Sequence, residues 1–256
     1  MSVATLKKPK LRDQVSEAEW KIRVDLAAAY RLVALYGWDD LIFTHISARL
    51  PGDEGHFLIN PYGMMFEEIT ASALVKIDMD GDVVGDSDYA VNPAGFTIHS
   101  AVHEVRHDAG CVIHLHTPAG TAVATQEEGL LPLNQTALVI REQIAYHEYE
   151  GIALDHNERP RLQKDLGDKN LMLLWNHGTL ALGPTVQDAF LSMYFLERAC
   201  EMQVASLAGA RKLHYPSDAV KEITAKQGEN GLPSVSGIAW DALLRKLDRQ
   251  LPGYAD

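Results

Sequence analysis

The 256-residue sequence predicts an α/β fold with a central sheet sandwiched between helical layers. Two observations carry this. Apolar runs of strand length alternate with helix-patterned stretches. The run "GCVIHLH" at 110–116 is also continuously apolar up to its histidines, as a strand buried on both faces would be. A hydrophobic content of 46% is enough for a substantial core.

In chain order, residues 1–14 read as a flexible arm, because Lys7, Lys8, Lys10 and Arg12 carry like charge without apolar periodicity. Ser16 and Glu19 have capping-box spacing, and the apolar residues from Trp20 to Leu35 give a long first helix that Gly37 ends. Short strand-like runs follow at 41–50, 55–61 and 75–85, the last with an Asp80-Gly81 hairpin signal, so this part reads as antiparallel. Helices at 94–106 and 118–126 flank the 110–116 strand. Strands at 143–149 and 170–176 bracket a helix at 158–166. Thr185 and Asp188 start a long helix to about residue 208, apolar over more than one stripe and so suited to the core or a subunit contact. These elements make one domain over 15–210. The remainder, 211–256, contains Pro216, Gly228, Gly231 and Pro233 and reads as a loosely attached extension ending in a short helix at 237–249.

Composition narrows the function. The chain carries 35 acidic against 23 basic residues, which excludes a nucleic-acid groove or an anionic membrane surface as partner. Cys111 and Cys200 are too few for a disulfide framework and fit small core positions in a reducing compartment. With no signal-like or spanning apolar segment, the expected location is the cytoplasm.

The chemistry lies in the histidines. His114 and His116 are one residue apart on a strand and share a face, about 6.6 Å apart along it. They are either two ligands waiting for a third or polar filler. His177, in "LLWNHGTLALG", follows another buried-looking strand and would complete a three-imidazole set at strand ends. Such a set suits Zn²⁺, or Fe²⁺ or Mn²⁺ with further ligands. His99 and His103, four apart on the 94–106 helix, are a competing pair. The Glu of this motif follows the second His, and Gly95, His99, His103 and Arg106 form one polar stripe, which favours a solvated or interface face. His147, beside Tyr146, Glu148 and Tyr149, is a titratable cluster for acid/base work or an edge strand facing water. His45, His56, His107, His156 and His214 show no partner pattern.

The segments "FTHISARL", "HFLINPYGMMFEEITASALVKIDMDG", "NPAGFTIHSAVHEVR", "CVIHLHTPAGTAV" and "LLWNHGTLALG" together resemble the class II aldolase/adducin family, on the branch close to the adducin head, over about residues 18–210. The resemblance implies a three-layer α/β/α sandwich whose sheet is mostly antiparallel, where alternation alone suggests parallel strands. It implies a homo-oligomer, typically a tetramer. It also implies a divalent metal on His114, His116 and His177, polarising a substrate carbonyl or holding an enediolate.

Departures from the pattern matter equally. Where aldolases of the family carry a catalytic Glu, the matching segment here is Pro93, Ala94 and Gly95; the phosphate-loop positions hold Thr44 and His45, and the second loop is Asn60-Pro61-Tyr62-Gly63. A related dehydratase's Glu position holds Thr136. A phosphorylated sugar is therefore not the expected substrate. His147, Glu148, Tyr62 and a metal-bound hydroxide are the candidate replacement acid/base groups. The expected activity is a metal-dependent carbon–carbon lyase acting on a small hydroxy or keto acid through a metal-stabilised enolate. The alternatives are an Fe²⁺ oxidative decarboxylase on the same histidines, or an adducin-like scaffold without catalysis, although the chain has no polybasic tail.

Overall fold

The computed structural model describes residues 10–52, 55–85, 87, 89–152, 156–209 and 212–256. Among these residues, seven strands form one sheet: β1 (His45–Arg49), β2 (Phe57–Ile59), β3 (Val75–Ile77), β4 (Cys111–Leu115), β5 (Ile144–His147), β6 (Leu171–Leu174) and β7 (Gly178–Gly183). Their order is β3-β2-β1-β4-β7-β6-β5. Every neighbouring pair is antiparallel except β5 with β6. The alternation argument for a parallel sheet thus holds for one pair alone, and the mostly antiparallel sheet expected from the resemblance is the one present.

Alternate strand residues feed two cores. Cys111, Ile113 and Leu115 of β4, with Leu171, Leu173 and Ala181, pack under α1 (Glu17–Tyr36) and α6 (Val186–Leu207). Val112, Met172, Leu174, Leu180 and Leu182 pack instead against α2 (Pro93–Val105) and α5 (Arg159–Leu166), through Ile98, Ala101, Val102, Leu162 and Leu166. This is the three-layer α/β/α sandwich. Because side chains alternate, His114 and His116 belong to the α2 side. Ser16 caps α1 by accepting from Glu19 N, as its spacing predicted. Both cysteines are buried and unpaired.

Several elements differ from the sequence expectations. β7 was not foreseen: its Gly-Thr-Leu-Ala-Leu-Gly sequence is short, apolar and glycine-flanked, yet it pairs with both β4 and β6 at the centre of the sheet. The helix expected at 118–126 is the shorter α3 (Pro118–Val123), capped by Thr117, and a further short helix, α4 (Gln135–Ile140), capped by Asn134, has no counterpart in the sequence reading. The C-terminal segment is one 33-residue helix, α7 (Asp218–Gln250), rather than a loose tail with a short helix at 237–249. Its Gly228 reads as a breaker in isolation but is a contact point: an added Cβ would lie 2.0 Å from the Val139 carbonyl of α4. Trp240 is buried, its ring centroid 5.7 Å from that of Phe190 and its Nε1 donating to Asp25 at 3.2 Å. Tertiary packing therefore overrides the local Gly and Pro signals. Residues 1–9 of the expected arm lie outside the described residues, and Leu11–Asp13 form a 3-10 turn. Among the described residues no helix is long and apolar enough to cross a membrane.

Candidate metal centre

His114 is the last histidine inside β4, His116 lies just past its end, and His177 sits in the tight β6–β7 connection. The β4–β7 register sets Leu115 opposite Thr179, which brings His177 beside His116. The approach is close: a Cβ on Gly178 would fall 2.4 Å from the Leu115 carbonyl and 3.0 Å from His116 Cδ2. Asn176, in the left-handed conformation at φ 58°, turns the chain there, its amide donating to the Ala124 carbonyl at 2.8 Å.

One ligand nitrogen from each of the three rings lies within 4.8 Å of the others. His114 Nδ1 donates to the Thr179 carbonyl at 2.9 Å, and His116 Nδ1 donates to Asp40 Oδ2 at 3.1 Å. Each neutral ring has one N–H, so both Nε2 atoms carry lone pairs. Those two Nε2 atoms face each other at 2.9 Å, and His177 Nε2 is 3.0 Å from His116 Nε2. Facing lone pairs repel unless a cation lies between them. Burial and the neighbouring imidazoles push His114 down, and the same causes put His177 at about 4, so both are neutral near pH 7, the form that ligates. The donor set therefore fits a divalent cation with positions left open.

A second layer supports the rings. Glu197 of α6 is fully buried and accepts from Thr117 and from Thr179 Oγ1, the latter at 3.1 Å. Thr117 follows His116, and Thr179 supplies the carbonyl that holds His114. Desolvation is the main cause that raises Glu197 to about 7, opposed by the two threonine hydroxyls.

The imidazoles open into a cavity of about 390 Å³, lined also by Phe43, His45, Tyr62, Asn92, Ile98, Tyr149 and Ile152. Of the expected acid/base groups, Tyr62 is on this wall. His147 and Glu148 are not. His147 is buried, with Nδ1 2.7 Å from Asp165 and Nε2 3.2 Å from Glu158, and Glu148 is exposed. β5 is the sheet edge, but His147 does not face water there.

His99 and His103 also depart from expectation. They do not form a solvated or interface stripe: both are buried against β1, with His99 Nδ1 and His103 Nε2 2.7 and 2.8 Å from Ser47 Oγ. Between them and the trio lies His45, paired in register with His114, its ring centroid 4.4 Å from that of His99 and 5.4 Å from that of His114. Sequence reasoning missed His45, Asp40 and Glu197. The one available signal was a carboxylate four residues after Met193 on the α6 face, which is apolar apart from it and Gln203.

The sequence model of the "Class II Aldolase and Adducin N-terminal domain" matches residues 24–204. The chain belongs to the class II aldolase and adducin family. A Caulobacter vibrioides protein named provisionally as an aldolase class 2 protein is 58% identical over 247 residues, 96% of each chain. Alpha-adducin of Rattus norvegicus is 46% identical over 197 residues, 76% of this chain but 27% of that protein. Among solved structures, an aldolase II superfamily protein from Pseudomonas syringae superposes with a TM-score of 0.92 at 49% identity, over 97% of this chain and all of that one. L-Fuculose 1-phosphate aldolase from Glaciozyma antarctica PI12 superposes at 0.78 with 25% identity, over 96% of each chain.

Proposed function

We propose that this family member is a metal-dependent carbon–carbon lyase of aldolase or decarboxylase type, holding a divalent ion, Zn²⁺ in the first place, on His114, His116 and His177. The substrate is a small, non-phosphorylated hydroxy or keto acid. The observation that carries this reading is the pair of Nε2 lone pairs 2.9 Å apart, each fixed by an Nδ1–H donated outward. A divalent ion bound there supplies Lewis acidity toward a substrate carbonyl.

The chain's own residues do the rest. Thr179 and Asp40 fix the tautomer and orientation of two ligands. Tyr62 takes the proton-transfer role, being the candidate acid/base group that lines the cavity. Ile98, buried at the base of the cavity, gives it an apolar side. A cytoplasmic homotetramer is the working assembly, and sedimentation of the intact chain is its check.

The deciding experiment is metal analysis of protein purified without added ions, beside His116→Ala. Near-stoichiometric Zn²⁺ supports the lyase. Fe²⁺ supports oxidative decarboxylation on the same ligands. No metal supports a scaffold. His116→Ala should take tight uptake close to zero while the fold persists; undiminished metal in that variant overturns the ligand assignment.

A further inference from the structure

The reading above leaves open what the rest of the substrate is, and the cavity wall bears on that. Beyond the three imidazoles, the most exposed lining residues are Phe43, Tyr62, Tyr149 and Ile152, with buried Ile98, the Asn92 amide and the His45 imidazole also on the wall. None of the described lining residues is a lysine, arginine or carboxylate. A phosphate or a second carboxylate entering here would lose water without gaining an opposite charge, a costly transfer. The aromatic wall begins next to the ligands, for the Tyr149 ring centroid is 6.1 Å from that of His177.

Among the described residues the mouth is also incompletely covered. Tyr62 is 41% exposed, Phe43 49%, Tyr149 51% and Ile152 74%, so four large apolar side chains stand half-wetted around one opening. Isolated exposed apolar residues are ordinary, but a group rimming a polar-centred cavity marks a binding surface. An apolar group entering between them removes apolar area from water on both sides.

We propose that the substrate's non-reacting end is an uncharged apolar group, aryl or branched alkyl, seated against Phe43, Tyr62, Tyr149 and Ile152. The inference rests on the assignment of the histidine trio as the metal site, since that fixes where the chelating head lies. The substrate is then an acid whose oxygens face the imidazoles and whose apolar tail starts within a bond or two of the reacting carbon.

Three chelators with one head and different tails test this: acetohydroxamate (methyl), benzohydroxamate (phenyl) and phosphoglycolohydroxamate (phosphoryloxymethyl), each titrated calorimetrically into the full-length chain loaded with Zn²⁺. Benzohydroxamate should bind about tenfold or more tighter than acetohydroxamate, with the phosphorylated chelator no tighter than acetohydroxamate. Phe43→Ser and Ile152→Ser, both at exposed positions, should each move the phenyl-to-methyl ratio toward one. Equal affinities for phenyl and methyl, as when a second copy of the chain covers the rim, overturn the apolar seat and leave the metal reading standing. Tightest binding of the phosphorylated chelator overturns it too. Failure of all three to bind overturns the metal assignment and this inference with it.

Discussion

Two groups of histidines lie on the same side of the sheet, joined through the His45 ring, and have different chemistry. His99 and His103 both turn a ring nitrogen onto the Ser47 hydroxyl. A hydroxyl has one proton to give and lone pairs to receive, so it donates to one ring and accepts N–H from the other, and both nitrogens are satisfied. In the trio, the satisfied nitrogens are the outward Nδ1 atoms of His114 and His116, and the inward Nε2 atoms are left facing one another. His99 Nε2 and His103 Nδ1 are also left without a partner, so what separates a buried polar contact from a metal-ligand set is whether the unengaged nitrogens converge on one point, as those of the trio do, not the number of imidazoles.

Substitutions that change one group and spare the other sharpen this contrast. The largest effect on stability is expected from Ser47→Ala, which strips a partner from two buried ring nitrogens at about 1–3 kcal/mol each. Burial already pushes His103 down to about 3 and His99 well below its usual range, so neither ring escapes by becoming charged. Denaturant unfolding should record the loss, with metal content unchanged; a parallel loss of metal would merge the two groups into one unit.

Asp40→Asn should act in the opposite sense. It weakens the hold on His116 Nδ1 and is expected to lower metal affinity by about 10–100-fold, while Asp40, half-exposed, contributes little to stability. Competition against a chromophoric chelator measures this.

The smallest effect is a slope. Glu197, raised from 4.5 to about 7 in the folded chain, lets the folded protein bind more protons than the unfolded one between those values. Stability should then fall as pH rises through that window, this contribution being greatest below it. Glu197→Gln should flatten that part of the profile in unfolding curves taken from pH 4.5 to 8. An unchanged slope would place the titration elsewhere.

The legibility of the molecule follows from what each feature depends on. The Ser16 cap and the patterns of α1 and α6 are local, and the structure has them where the spacing predicted. Strand direction depends on partners far away in sequence, so alternation pointed to a parallel sheet that only β5 and β6 form. The glycines and Pro233 of 211–256 read as breaks, yet Gly228 packs on Val139 within one continuous helix; β7 carries no local signal separating it from the run before it, and its Gly178 packs on Leu115. In the site, the H-x-H spacing and His177 could be seen as motifs. Their meeting depends on the β4–β7 register. His45, Asp40 and Glu197 reach the trio from β1, the loop before it and α6, and no local spacing links such residues.

Gly178 carries a further consequence. The gap between the β6–β7 turn and the end of β4 leaves no room for a side chain at 178, where a Cβ would meet both the Leu115 carbonyl and the His116 ring, so the span between His116 and His177 is set in part by main-chain atoms that cannot change rotamer. Any side chain at 178 would act as a spacer and spread the triangle of nitrogens. The spacing of the three ring nitrogens thus depends on a missing methyl as well as on the rings themselves.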